Sequence, residues 1–104
     1  VESVQIKNVK TGEESSFATD GVFVFIGHKP NTELFSGQLE MTPTGYLKSN
    51  SFMETNVPGV FTAGEASDPY FRQVITSAGM GATAAMQAVR FLEHAEQSTP
   101  VKVS

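Results

Sequence analysis

The sequence predicts an α/β protein whose architecture is incomplete, because two short apolar runs precede one long amphipathic stretch. The runs, residues 21–27 and 60–63, consist mainly of β-branched and aromatic residues, as is typical of strands buried on both faces of a sheet. From about residue 72 to residue 96, apolar residues instead recur at steps of three and four, which indicates a helix. Such strands need helices on both sides, and this chain supplies one. The other layers are expected from a partner or from a part of the polypeptide outside this sequence.

Composition narrows the class of protein. The chain has 104 residues with 39% hydrophobic content, the size and make-up of one small globular domain. A net charge of -4 and a pI near 5.0 argue against nucleic acid or an anionic membrane as the main partner. No apolar run approaches the roughly 20 residues of a membrane span. The absence of cysteine excludes disulfides, thiolate metal sites and cysteine catalysis, and it fits a cytoplasmic protein. Because the chain begins at Val1 without a Met, we expect a piece of a longer product.

The first third of the chain predicts a hairpin followed by a buried strand. Val4 and Ile6 alternate with polar residues, and Gly12 suits a turn that needs positive φ, so residues 3–18 read as a polar hairpin. Residues 21–27 then give the first buried strand. A turn follows, and residues 33–35 predict a short helical turn.

The remaining elements are a weak strand, a second buried strand and the helix. Residues 45–48 predict a brief strand, and the turn at residues 56–59 leads into the strand at 60–63. The helix should present one apolar face made of Val74, Ala78, Ala82, Ala85, Val89 and Leu92. Gly79 and Gly81 each cost about 1 kcal/mol relative to Ala in a helix, which favours close approach of another backbone or a ligand there. Residues 98–104 are expected to be a loose tail.

Several motifs are better explained without a site. Residues 79–84 spell G-x-G-x-x-A, but a phosphate loop needs a preceding strand, and the residues before it fit the helical stripe. His28 and His94 are too isolated to suggest a metal site. Tyr70 and Phe71 could stack on a planar ligand, but an ordinary core role is favoured. No nucleophile elbow is present, so hydrolase chemistry has no support.

One polar layout does indicate a ligand. The apolar run ends at Gly64 and is followed at once by Glu65, while Arg72 and Gln73 stand where the helix begins. An acid at a strand end beside a helix N-terminus suits a polar ligand that lies across the end of a sheet.

These residues resemble a known family. The run "GVFTAGEASDPYFRQVITSAGMGATAAMQAVRFL" is similar to the C-terminal FAD-binding segment of the low-molecular-weight thioredoxin reductases, which are pyridine-nucleotide disulfide reductases. The run "DGVFVFIGHKPNTELF", with its I-G-x-x-P-N-T turn, resembles the end of their NADPH-binding domain. The resemblance implies a piece of a two-domain FAD/NAD(P)-binding, Rossmann-like fold. Residues 1–35 would end the NAD(P)H-binding domain, and residues 36–97 would return to the FAD-binding domain.

The resemblance also assigns roles to residues. It makes Gly64, Glu65, Arg72, Gln73 and Val74 the cofactor-binding set, with Glu65 on the ribityl chain of FAD and with Arg72, Gln73 and Val74 along the flavin. The helix N-terminus would face the pyrimidine edge of the ring system, where a reduced flavin carries negative charge. No catalytic residue and no metal ligand is expected in this segment.

For the whole enzyme, the resemblance implies electron transfer from NADPH through FAD to a disulfide in a thioredoxin-like protein, and a homo-oligomer. The G-x-G-x-x-G loops and the C-x-x-C pair of the family are absent, so we expect these 104 residues alone to be inactive. The family usually has Asp where this chain has Glu65, whose extra methylene moves the carboxylate by about 1.5 Å. Two alternatives stay open: a segment of a ferredoxin/flavodoxin–NADP reductase type of enzyme, and a stand-alone interaction module that binds no cofactor.

Overall fold

A computed structural model describes residues 1–98 of the chain. Its elements are strands β1 (Ser3–Lys7) and β2 (Glu14–Ala18), two 3₁₀ turns (Glu33–Phe35 and Gly64–Ala66) and helix α1 (Val74–Gln97). The expected tail lies outside the described residues from residue 99 onward. The Cα radius of gyration is 22.4 Å, whereas a compact chain of this length would have about 13 Å. The molecule is therefore extended, and most of its apolar side chains have no protein neighbour to cover them.

The predicted hairpin is confirmed. β1 pairs with β2 in antiparallel register from Ser3↔Ala18 to Lys7↔Glu14. Gly12 closes the turn at φ 76°, and its N–H donates to the Asn8 carbonyl at 2.7 Å. Positive φ at this point is what the sequence demanded of a glycine.

The first buried strand is not formed, and this prediction was wrong. Residues 22–26 belong to no strand, and all five side chains are exposed, up to 92% for Ile26. Within residues 1–98, no backbone hydrogen bond reaches this run. A strand needs a neighbour for its N–H and C=O groups, and none of the described chain lies alongside. Phe23 and Phe25 only stack on each other, at 6.3 Å between centroids.

The second run is also not a strand. Residues 60–63 contain one isolated bridge, Glu54↔Phe61, and the Thr62 N–H donates to the Met53 carbonyl at 3.0 Å. Ala63 has extended dihedrals, so the chain does run straight into Gly64. The ladder that would make it a strand is missing, and Val60 is exposed.

A small core forms in the middle of the chain. Its buried residues are Thr32, Tyr46, Leu47, Thr62 and Asp68. The Thr32 hydroxyl donates to the carbonyl of Gly45, and the Leu47 N–H donates to that of Ala66 at 2.8 Å. The predicted strand at residues 45–48 is reduced to one bridge, Met41↔Leu47, whereas the helical turn at residues 33–35 is confirmed. The hydrogen bond from Leu47 to Ala66 ties the turn Gly64–Ala66 to the core.

The predicted helix is confirmed, but its apolar stripe is not the face that packs on the rest of the described chain. The stripe of Val74, Ala78, Ala82, Ala85, Val89 and Leu92 is exposed. The half-buried residues lie roughly 145° away on the helix, at 100° per residue, and comprise Thr76, Ser77, Met80, Thr83, Ala84, Gln87 and Ala88. α1 thus packs on the loops through a mixed face of small, polar and Met side chains and leaves its apolar face without a partner.

The two glycines of α1, Gly79 and Gly81, lie in the helix without a close neighbour. Residues 79–84 lie inside the helix, which confirms that they are not a phosphate loop. A side-chain carbon at Gly79 or Gly81 would meet nothing within 4 Å. Their expected close approach is therefore not made by any part of the chain that the structure describes.

Candidate functional site

Gly64 and Glu65 lie against the start of α1. Gly64 has φ 80°, and a side-chain carbon there would come 3.6 Å from the Ser77 Oγ atom. Its left-handed backbone, which favours glycine, sets the path of the turn Gly64–Ala66 against the first turns of the helix. Glu65, in the middle of that turn, is exposed to solvent. The structure therefore places the predicted acid at the same end of α1 as the other predicted residues.

The connection from this turn to the helix is closed by Asp68. Its Oδ1 accepts hydrogen bonds from the backbone N–H groups of Tyr70 at 2.9 Å and Phe71 at 3.0 Å, and its Oδ2 accepts one from Arg72 at 2.9 Å. The side chain itself is 6% exposed. Sequence reasoning missed Asp68, although an Asp before a Pro is a known turn signal.

These bonds change the acidity of Asp68. The Phe71 N–H, followed by that of Arg72, holds the pKa of the carboxyl below its usual value, against the opposing effect of burial. Hydrogen bonds to a carboxylate stabilise its ionised form. Asp68 therefore stays a charged acceptor through the pH range in which proteins usually work.

Arg72 is held in an unusual backbone conformation. Its φ is 52°, in the left-handed region that residues other than glycine seldom adopt. Its side chain is half-buried. Within residues 1–98, no hydrogen bond or ion pair involves the guanidinium. Its five N–H donors remain available to a ligand.

The start of α1 also keeps free donors. Gln73 is the extended residue that precedes the helix, and its side-chain amide donates to the Phe71 carbonyl at 3.2 Å. The Thr76 hydroxyl donates to the Gln73 carbonyl at 2.9 Å. In the described chain, the N–H groups of Val74 and Ile75 have no hydrogen-bond partner, and both residues are highly exposed. They form the partly positive end of the helix dipole.

The adjoining aromatic pair is not part of a core. Tyr70 is 82% exposed and Phe71 is 69% exposed, so the favoured interpretation of an ordinary core role was wrong. The Asp68 loop holds both rings outward beside the start of α1. The alternative, stacking on a planar ligand, stays a prediction.

A cavity lies away from the predicted site residues. Its volume is about 520 Å³, and it separates the loop at residues 52–61 from the C-terminal half of α1, where Phe91 and Arg90 contribute to its wall. The polar side chains there already bond to one another: Gln87 joins Arg90 at 2.9 Å and Glu54 at 3.5 Å. None of the predicted site residues lines it.

Two kinds of feature are absent from the described residues. Across residues 1–98, no group of three or more His, Asp or Glu side chains is arranged to hold a metal ion. No helix in the same range has the length and apolar character needed to cross a membrane.

Comparison with known proteins places the chain in a family. The pattern described as "Pyridine nucleotide-disulphide oxidoreductase" matches residues 1–90. The thioredoxin reductase of Coxiella burnetii is 45% identical over 103 residues, which cover 94% of this chain and 32% of that protein. The enzyme of the same name from Chlamydia pneumoniae is 50% identical over 93 residues, covering 88% of this chain and 30% of that one.

Solved structures agree. The crystal structure of Lactococcus lactis thioredoxin reductase in its FR conformation superimposes with a TM-score of 0.72 and 38% identity, covering 89% of this chain and 31% of that one. The chain thus spans about a third of the length of the curated relatives that it matches. Taken with a two-stranded hairpin and one long helix, these matches show that the chain belongs to the pyridine nucleotide-disulphide oxidoreductase family.

Proposed function

We propose that this chain is the C-terminal, FAD-contacting segment of a thioredoxin-disulfide reductase-like flavoprotein. The observation that carries the proposal is the start of α1, where the N–H groups of Val74 and Ile75 have no partner in residues 1–98 and directly follow Arg72, whose guanidinium makes no hydrogen bond or ion pair there. Five relatives named thioredoxin reductase are 41–50% identical to this chain. The ferredoxin/flavodoxin–NADP reductase alternative is not favoured by these matches.

The residues present fit one end of FAD. The dipole at the start of α1 favours negative charge, which a flavin gains at its pyrimidine edge on reduction. Gly64 brings the turn that carries Glu65 onto the same end of the helix, so an exposed carboxylate is available to a ribityl hydroxyl. Val74, almost fully exposed, offers an apolar contact to the ring system.

The role of the segment is to bind and orient. When bound, FAD would supply two-electron transfer between NADPH and the disulfide of a thioredoxin-like protein. No side chain of this segment takes part in that chemistry; Arg72, Gln73 and the start of α1 would fix the flavin and set its electrostatic environment. The homo-oligomeric state, the cytoplasmic location and the division at residues 35 and 36 stay predictions.

The proposal is tested by flavin binding in two polypeptides. The pyrophosphate of FAD is normally held by a glycine loop before a helix, and residues 79–84 cannot serve because they lie inside α1. The 104-residue chain alone should be colourless and inactive with NADPH and thioredoxin, because half a site still bears a cost of several kcal/mol for immobilising the ligand. The full-length polypeptide that contains this segment should be yellow.

Either of two results would contradict the proposal. A full-length polypeptide that stays free of FAD would favour the stand-alone interaction module. Micromolar or tighter binding of FAD by the 104-residue chain would show that the segment is a complete site rather than one end of it.

A further inference from the structure

We propose that Asp68 is a positioning residue for the flavin, because its carboxylate accepts the N–H groups of residues 70–72 and so fixes the backbone that leads through Arg72 into the start of α1. This inference rests on the proposed function and adds to it a residue that makes no contact with the cofactor itself. The carboxylate binds three consecutive N–H groups at 2.9–3.0 Å, so it fixes three peptide planes at once.

The loop needs such an acceptor. Arg72 adopts φ 52°, a left-handed conformation that residues with a side chain adopt only with strain. The N–H of Arg72 donates to Oδ2 of Asp68, and this bond favours the left-handed conformation over the alternatives. Charged acceptors make stronger hydrogen bonds than neutral ones, which suits a carboxylate to the task.

The backbone conformation of Arg72 determines the direction in which the chain enters α1. Gln73 follows in an extended conformation, with φ -113° and ψ 148°, and α1 begins at the next residue. The two free N–H groups, those of Val74 and Ile75, are therefore two and three residues beyond the strained position. A rotation at Arg72 would turn both groups and the guanidinium away together.

Asp68 belongs to the small buried core, but its three hydrogen bonds are made to the loop that follows it. That loop presents Tyr70 and Phe71 to solvent, so these bonds do not hold apolar side chains together. The hydrogen bonds within the loop end at Arg72, beside the proposed cofactor contacts. What the carboxylate fixes is the direction of the donors.

Asn50 provides a matched control. Its Oδ1 accepts the N–H groups of Phe52 at 2.9 Å and Glu54 at 3.1 Å, and the loop that it closes contains Met53 at φ 60°. This is the same device at a distant place, since Glu54 contacts Gln87, which lies about 20 Å along α1 from Val74. Asn50→Ala should loosen a loop without moving the proposed flavin contacts.

The experiment compares Asp68→Asn and Asn50→Ala in the full-length flavoprotein that carries this segment. In Asp68→Asn, one carboxylate oxygen becomes an NH₂ group. This group is a donor, so it cannot accept a hydrogen bond from the N–H of Arg72. We expect the dissociation constant of FAD to rise by about threefold to tenfold, as when a capping side chain is lost. If reduced flavin loses that factor in affinity beyond the loss for oxidised FAD, the two-electron midpoint potential falls by roughly 15–30 mV. Asn50→Ala should change neither quantity.

A double-mutant cycle with Arg72→Gly tests whether Asp68 acts through the backbone conformation of residue 72. In Arg72→Gly, positive φ costs little, so the loop needs the carboxylate less. Adding Asp68→Asn to Arg72→Gly should change the FAD dissociation constant by less than about twofold, which is the sign of coupling in a double-mutant cycle. This pair also serves if Asp68→Asn alone does not fold, as judged by circular dichroism.

The remaining outcomes distinguish failure of the inference about Asp68 from failure of the proposed function. If the wild-type protein binds FAD and Asp68→Asn leaves affinity and potential unchanged, the inference fails and the proposed function stands. Equal shifts in Asp68→Asn and Asn50→Ala would also overturn it, because general loosening would then be the cause. If the wild-type protein binds no FAD, the proposed function fails and the inference fails with it.

Discussion

The rings of Phe61 and Phe91 meet edge to face, with centroids 6.4 Å apart and planes at 78°. Gly59 lies against the ring of Phe91: a side-chain carbon at residue 59 would come 3.0 Å from two atoms of that ring. The contact joins the loop at residues 52–61 to the C-terminal half of α1, and it depends on the absence of a side chain at residue 59.

Gly59→Ala should therefore destabilise the 104-residue chain. The new methyl group would overlap the Phe91 ring, and residue 59 has φ 83°, which Ala adopts only with strain. We expect the overlap and the backbone strain together to lower the free energy of unfolding by about 1–3 kcal/mol. Urea denaturation followed by circular dichroism at low protein concentration measures it.

Gly79→Ala is the matched control. Space around residue 79 is open within residues 1–98, and Ala favours a helix interior by about 0.5–1 kcal/mol over Gly. This variant should gain helix content. The idea is wrong if both alanine variants change stability in the same direction.

Local signals account for the parts of the fold that the sequence predicted. The hairpin depends on alternation and a turn glycine, and α1 depends on a periodic pattern within one segment, so each can be read from neighbouring residues. Residues 22–26 carry an equally clear strand pattern, but a strand requires partners that are distant in sequence, and residues 1–98 do not contain them.

The site shows the same division. Glu65, Arg72 and Gln73 stand out in the sequence because their charge or polarity follows an apolar run. Asp68 does not, because its importance lies in three hydrogen bonds to backbone groups within four residues, which depend on the loop conformation. The apolar stripe of α1 was found, but its exposure was not predicted, since a helix with small residues on two faces offers no pattern that says which face packs on the chain.

The acid stability of the chain should depend on Asp68. Its pKa in the folded state lies below the unfolded value of about 3.9, because the N–H groups of Phe71 and Arg72 stabilise the carboxylate. The stabilisation is fully present above pH of about 4 and is lost as the pH falls through the folded pKa. Asp68→Asn should therefore be less stable than the wild type near neutral pH, and the difference should shrink in acid. Urea denaturation between pH 6 and pH 3 tests this, and a difference that does not change with pH would contradict it.

Glu65→Asp should retain or tighten FAD in the full-length flavoprotein. The family usually has Asp at this place, and the shorter side chain draws the carboxylate back by about one C–C bond, or 1.5 Å. Because an O–H···O bond is useful only between roughly 2.5 and 3.0 Å, that distance decides whether a ribityl hydroxyl is reached. Titration of the apoprotein with FAD gives the result. Glu13→Asp, in the exposed hairpin turn, is the control and should have no effect. Weaker binding by Glu65→Asp would show that the turn at Gly64–Ala66 is adapted to the longer side chain.

The 104-residue chain should associate with itself in solution. Two apolar surfaces lack a partner within the described residues: the run at 22–26 and the stripe on α1 that includes Val89 and Leu92. Exposed patches and unpaired strand edges of this kind drive association. Sedimentation velocity at micromolar concentration should show species larger than a monomer. Phe25→Lys and Val89→Lys should each shift the distribution toward the monomer by placing a charge in one surface. Val9→Lys is the control, since Val9 is 92% exposed but lies in the hairpin turn, outside both surfaces. A compact wild-type monomer that melts cooperatively would mean that the two surfaces cover each other in solution, and it would count strongly against their being sites for the rest of a larger protein.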